Sequence, residues 1–219
     1  MFKRCEDLVL AGFLLILSIP LLAMVAILVR LDSDGPVIFR QARMGRNFRR
    51  FTLFKFRTMR SSDCGPAYTL GADPRITAVG RWLRRWKIDE LPQLWNVLRG
   101  EMSLVGPRPV IPELTFEFKP AYEQLLKVRP GLTDPATLKY RRETEILEMV
   151  ADPLEYFKTV VTPDKLRISQ AYIQRATALT DLNVVLETAL ALLPLPKMIT
   201  RGGFALTLTG ESSAYSDHS

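Results

Sequence analysis

Between Leu8 and Val29 the chain reads LVLAGFLLILSIPLLAMVAILV, 22 residues without a charge. About 20 consecutive apolar residues let a helix cross the hydrocarbon of a bilayer, so this run predicts a membrane helix. A cleavable signal would carry a shorter apolar region, about 7–15 residues, and a small-residue cleavage site. A helix buried in a soluble core seldom runs this far without a polar face. Pro20 lies near the middle of the run. It lacks an amide hydrogen and clashes with the preceding turn, so a bend is expected, with Ser18 close enough to satisfy a freed backbone group. Lys3 and Arg4 precede the run, and Arg30, Arg40 and Arg43 follow it. Positive flanks favour the cytoplasmic side. A helix that turns at Ser18–Pro20 and leaves by the face it entered satisfies both flanks. A tilted, kinked span is the alternative.

The remainder is basic. The chain has 219 residues, a net charge of +7 and a pI near 9.6. That balance favours anionic partners. Eight basic residues and no acid lie between Arg40 and Arg60. A solvated face is the ordinary reading of such a run. Its position after an apolar helix equally suits anionic headgroups or a diphosphate. No nucleic-acid-binding motif is present, so nucleic acid is not an expected partner. The one histidine, His218, stands in a polar tail, which excludes a Ser-His-Asp triad and histidine-ligated zinc. Cys5 and Cys64 have no metal-ligand spacing and read as free thiols.

Local patterns place the remaining elements. VIFRQARMG and FTLFKFRTM alternate as short strands after the turn Asp32–Pro36. TAVGRWLRRWKI predicts an amphipathic helix over 77–88, with Trp82 and Trp86 on one face. Trp beside Arg suits a membrane interface, and packing onto the core suits it equally. In DELPQLWNVLRG, Pro92 fits a first helical turn and Gly100 a C-terminal stop, which puts Asp89 and Glu90 at a helix start. Helices are expected over 113–127, 138–150 and 164–193, with VRPGLTDPA as a loop and the segment after Gly106 extended.

Acids at a helix start usually complement its dipole. Two adjacent carboxylates among arginines, near a membrane helix, also suit phosphate chemistry. A carboxylate can attack phosphorus, and a hard cation held by carboxylate oxygen offsets its repulsion from a diphosphate.

The stretches GPVIFRQARMG, FTLFKFRTM, DPRITAVGRWLR, DELPQLWNVLRGEMSLVGPRP and VRPGLT resemble the bacterial sugar transferase family, the monotopic phosphoglycosyltransferases. The resemblance runs from about Lys3 to Leu193, and the chain resembles the minimal catalytic form. It implies transfer of a sugar 1-phosphate from a UDP-sugar to polyprenyl phosphate, releasing UMP, at the cytoplasmic face of the bacterial inner membrane. Asp89 would be the nucleophile and a Mg²⁺ ligand, and Glu90 would handle the acceptor proton. Lys55, Arg84 and Arg108 would contact the diphosphate or substrate, and Ser18–Pro20 would be the break of the re-entrant helix. The family's Gly-Leu-Ala-Gln stretch is replaced by Asp134-Pro135-Ala136-Thr137, and its Leu-Asp pair by Ile168-Ser169.

The expected architecture is therefore α/β, of the α+β kind. Residues 1–30 form a membrane-embedded helix-break-helix in contact with lipid. Residues 31–200 form a small cytosolic catalytic domain with interfacial amphipathic helices, and 201–219 a mobile tail. The sequence leaves the sugar unnamed and a homo-oligomer open. Two other readings stand beside this one. The lipid phosphate could attack directly, with Asp89 only holding metal, or the protein could be a non-catalytic basic membrane scaffold.

Overall fold

The apolar run folds as one helix, α1 (Phe2–Asp32), in a computed structural model that describes residues 2–60 and 73–193. The expected tail and Cys64 lie outside the described residues. The helix is long and apolar enough to cross a membrane. Helical backbone continues through Pro20, so the helix-break-helix expected there is one unbroken helix. The Ser18 hydroxyl donates to Leu15 O at 2.9 Å, one carbonyl before the one that Pro20 leaves without its helical donor. Phe13, Ile16, Leu17 and Ile27 are exposed, while Ala11, Val25 and Val29 are buried.

Both ends of α1 are tied to the rest of the chain. At the N-terminal end Lys3 pairs with Asp181, and Arg4 donates to Val97 O and Leu98 O at 2.8 and 3.1 Å. Asp7 is buried and accepts from the Ser103 hydroxyl and, at 2.9 Å, the Leu104 amide. At the other end the buried Arg57 donates to the carbonyls of Val29, Ser33 and Pro36. A cation among the orphan carbonyls of a helix C-terminus is favourable, so Arg57 caps α1.

Strands β1 (Ile38–Met44) and β2 (Arg50–Phe56) form an antiparallel hairpin, as their alternation predicts. Helix α2 (Ala78–Arg85) follows, with Thr77 accepting from Gly80 N at its start. Its buried face is Gly80 and Leu83, and Trp82 is left exposed. Helix α3 (Gln93–Arg99) ends where Gly100 takes a left-handed φ of 80°, the stop expected there. The acidic pair does not open α3. It occupies a separate 3-10 turn, Ile88–Glu90, entered through Lys87 at φ 55°.

The segment read as a loop contains a strand. β3 (Ser103–Val105) and β4 (Gly131–Thr133) pair in parallel. A Cβ on Gly131 would lie 2.1 Å from Gly106 N, so only glycine lets the two backbones approach this closely. That approach fixes where Pro107 and Arg108 leave β3. The rest is helical: α4 (Pro112–Glu117), α5 (Lys119–Leu125), α6 (Pro135–Lys139), α7 (Glu143–Glu148) and α8 (Pro153–Tyr156). A wide π turn at Phe157–Val161 then leads into α9 (Thr162–Arg175) and α10 (Ala178–Leu192). Helices α4, α5 and α7 fall where helices were expected, as shorter pieces, whereas α8 and the π turn between 150 and 162 were not expected. Leu94, Val97, Met102 and Leu104 form the central core, against Ala11 of α1 and Val184 of α10.

Candidate active site

Asp89 and Glu90 are both buried although both are acids, so each needs compensation. Glu90 has it. Arg108 donates from both terminal nitrogens, Nη1 reaching Oε2 at 3.1 Å and Nη2 reaching Oε1, and the Lys87 ammonium stands 3.9 Å from Oε1. Burial alone would raise the Glu90 pKa, but Arg108 and Lys87 outweigh it and hold the group at about 2. Arg108 is in turn raised by Glu90.

Asp89 lacks such a partner. Its Oδ1 is buried with no hydrogen bond. Burial, and then the charge of Glu90, raise its pKa, while Lys87, Lys55 and Arg84 oppose the rise. Lys55 projects from β2 with its ammonium 5.1 Å from the centre of the Phe39 ring. Burial and the neighbouring Arg84 lower it to about 8, against the pull of Asp89. Arg84 is held by a 2.8 Å hydrogen bond from Nε to the Thr58 hydroxyl, and burial lowers its pKa too.

The fold thus gathers Asp89, Glu90, Lys55, Arg84 and Arg108 from β2, α2, the 3-10 turn and the segment after β3. Ser18 and Pro20 stand apart, on α1. The basic run Arg40–Arg60 is not one face: Arg57 is buried as a helix cap, and Arg43 turns inward to donate to Pro109 O. Lys87 belongs to the cluster through Glu90, which the helical pattern of 77–88 did not single out. The two departures also meet. Asp134 is 1% exposed, and its Oδ2 accepts from the Ser169 hydroxyl at 2.7 Å. Its Oδ1 accepts from Thr137 N at 2.7 Å, capping α6.

Among the described residues no group of three or more His, Cys, Asp or Glu gathers as a metal cage. Mg²⁺ does not need one, since it takes one or two carboxylates together with water and substrate phosphate. The unpartnered oxygen of Asp89 fits that role.

A family model described as bacterial sugar transferase matches residues 1–194. The chain is 45% identical over 170 residues to an undecaprenyl-phosphate glucose phosphotransferase of Komagataeibacter xylinus, covering 71% of this chain and 32% of that protein. It is 40% identical over 197 residues to a UDP-glucose:undecaprenyl-phosphate glucose-1-phosphate transferase of Caulobacter vibrioides, covering 87% of this chain and 69% of that one. A UDP-N-acetylgalactosamine-undecaprenyl-phosphate N-acetylgalactosaminephosphotransferase of Aeromonas hydrophila is 41% identical over 136 residues, 60% of this chain and 32% of its own length. The chain spans about a third of the first and last of these relatives. With the match extending from α1 through α10, the chain belongs to the bacterial sugar transferase family.

Proposed function

We propose that this protein transfers a sugar 1-phosphate from a UDP-sugar to polyprenyl phosphate, with Asp89 as nucleophile. The observation that carries the reading is the state of Asp89: buried, with one carboxylate oxygen unpaired, and surrounded by Lys55, Arg84 and Lys87. A carboxylate oxygen of Asp89 bonds to the phosphorus that carries the sugar, and the bond from that phosphorus to the bridging oxygen breaks. UMP leaves with the electron pair. An oxygen of polyprenyl phosphate then attacks the same phosphorus and releases the Asp89 carboxylate. Mg²⁺ held by Asp89 would neutralise charge on the diphosphate and polarise the phosphoryl group. Lys55 and Arg84 bind phosphate oxygens.

Glu90 takes a different part from the one the resemblance implies. A carboxylate held near pKa 2 is a weak base at neutral pH. The acceptor is already largely ionised there, since the second pKa of a phosphate monoester is about 6. Glu90 orients Arg108 and Lys87 toward the substrate.

The site lies at the cytoplasmic face of the inner membrane in this reading. Support comes from α1, whose two ends are both bound by one domain, as a helix that enters and leaves by a single face requires. The scaffold reading loses ground because Arg43 and Arg57 turn inward from the basic run.

The test is UMP release from a panel of UDP-sugars with polyprenyl phosphate and Mg²⁺. Wild-type protein releases UMP from at least one, and Asp89→Asn reduces release to background. Isotope exchange between UMP and the UDP-sugar proceeds without acceptor. Turnover without that exchange would replace the covalent route with direct attack by the lipid phosphate.

A further inference from the structure

A cavity of about 320 Å³ shares Lys87 and Arg108 with the dyad and extends from them between α4, α6 and α9. Its size lies at the lower end of small-molecule pockets, about 300–1,000 Å³, and suits a single ring system rather than a whole nucleotide sugar. Two side-chain atoms on its wall are buried without a hydrogen bond: Arg43 Nε and Thr162 Oγ1. Buried polar atoms are ordinarily paired, and an unpaired one calls for an explanation.

The remaining polar wall is ordered in advance. Lys165 pairs with Glu143, and its ammonium stands 5.4 Å from the centre of the Tyr140 ring and 5.6 Å from that of Phe157. Asp134 is fixed by Ser169 and Thr137. The wall therefore carries both donors and acceptors: Arg43, Thr162, Lys165 beside Glu143, and Ser169 beside Asp134. A sugar hydroxyl is both a donor and an acceptor, and several on one ring call for both kinds.

We propose that this cavity receives the glycosyl group of the donor, with Lys165, Glu143 and Thr162 contacting its hydroxyls and setting which sugar is accepted. The inference rests on the proposed transfer reaction. There the sugar is bonded through one oxygen to the phosphorus that Asp89 attacks, so it must lie beside the dyad. Arg108 grips Glu90 on one side and walls the cavity on the other.

The experiment compares wild-type protein with Lys165→Gln, Glu143→Gln and Thr162→Val. It measures kcat/KM for UDP-glucose, UDP-galactose and their N-acetylhexosamine counterparts, inhibition by UDP, and the thermal midpoint. Thr162→Val removes a hydroxyl that has no partner in the protein, so its fold does not depend on that group. The expected result is a fall of about tenfold or more in kcat/KM on the preferred sugar, the loss of one hydrogen bond to a charged or buried group. The ratio between sugars changes while inhibition by UDP stays within about twofold. A uniform fall across all sugars, or no change, overturns the proposal. Weakened inhibition by UDP with an unchanged ratio assigns the cavity to the nucleotide and also overturns it. If wild-type protein releases UMP from no UDP-sugar, the transfer reaction fails first, a result separable from those of the variants.

Discussion

Asn96 stands in for a third strand beside Phe54: its Oδ1 accepts from the Phe54 amide at 3.1 Å, and its Nδ2 donates to Thr52 O at 2.7 Å. Nδ2 also donates to Glu101 at 2.7 Å. The helix that follows the dyad is thereby bonded to the strand that carries Lys55. Asn96 is fully buried, so Asn96→Ala leaves an amide and a carbonyl of β2 without partners. A destabilisation of roughly 1–3 kcal/mol is expected. Asn96→Asp does worse, because a carboxylate cannot donate to Thr52 O and faces Glu101. Thermal midpoints of the two variants in detergent check the order.

Lys55 predicts the alkaline limb of activity. Its pKa falls from 10.5 to about 8 through burial and the adjacent Arg84. Phosphate binding uses its charged form, so UMP release declines as pH rises through about 8. Lys55→Arg keeps its charge at these pH values and moves the limb upward, whatever it does to the maximal rate. Asp89 must be ionised to attack, and its raised pKa places the acid limb above the usual carboxylate range. A pH–rate profile of the wild type and Lys55→Arg reads both limbs.

The Glu90–Arg108 pair predicts how stability responds to acid. The folded pKa of about 2 lies below the ordinary 4.5. The unfolded chain therefore binds the proton first as pH falls. The stabilisation is complete above about 4.5 and is lost progressively toward about 2. In Arg108→Ala the chief opposing charge is gone, burial raises the Glu90 pKa, and the acid loss of thermal midpoint begins at higher pH. UMP release by the same variant falls about a hundredfold, the scale for removing a charge-stabilising donor.

Cys5 reports the path of α1. It is exposed and lies between Arg4 and Asp7, whose side chains bond to α3 and β3. If both ends of α1 emerge on the face of the catalytic domain, an impermeant maleimide labels Cys5 of a Cys64→Ser variant in inverted membrane vesicles and not in intact cells. The reverse pattern would mean that the helix spans the bilayer.

Local chemistry made much of this readable from sequence. The hairpin alternates, Gly100 stops its helix, and the dyad is two adjacent letters. Where a side chain turns was not readable. Arg40, Arg43 and Arg57 look alike in a string, yet Arg43 and Arg57 satisfy carbonyls inside the fold while Arg40 stays exposed. Three-residue strands such as β3 and β4 are too short to show a period. Asp134 and Ser169 each stood out as a departure from the family pattern, but their bond crosses 35 positions and only folding reveals it.

The anchors of α1 have a consequence for biosynthesis. Arg4 bonds to carbonyls 93 and 94 positions later, and Lys3 to a carboxylate 178 positions later. At translation rates of about 5–20 residues per second, the last of these partners leaves the ribosome roughly 9–36 s after Lys3. In the proposed membrane arrangement the apolar helix meets the insertion machinery before the residues that will hold it exist. There its orientation is set early, by residues of α1 and its flanks, and the domain that folds afterwards fastens an arrangement already made.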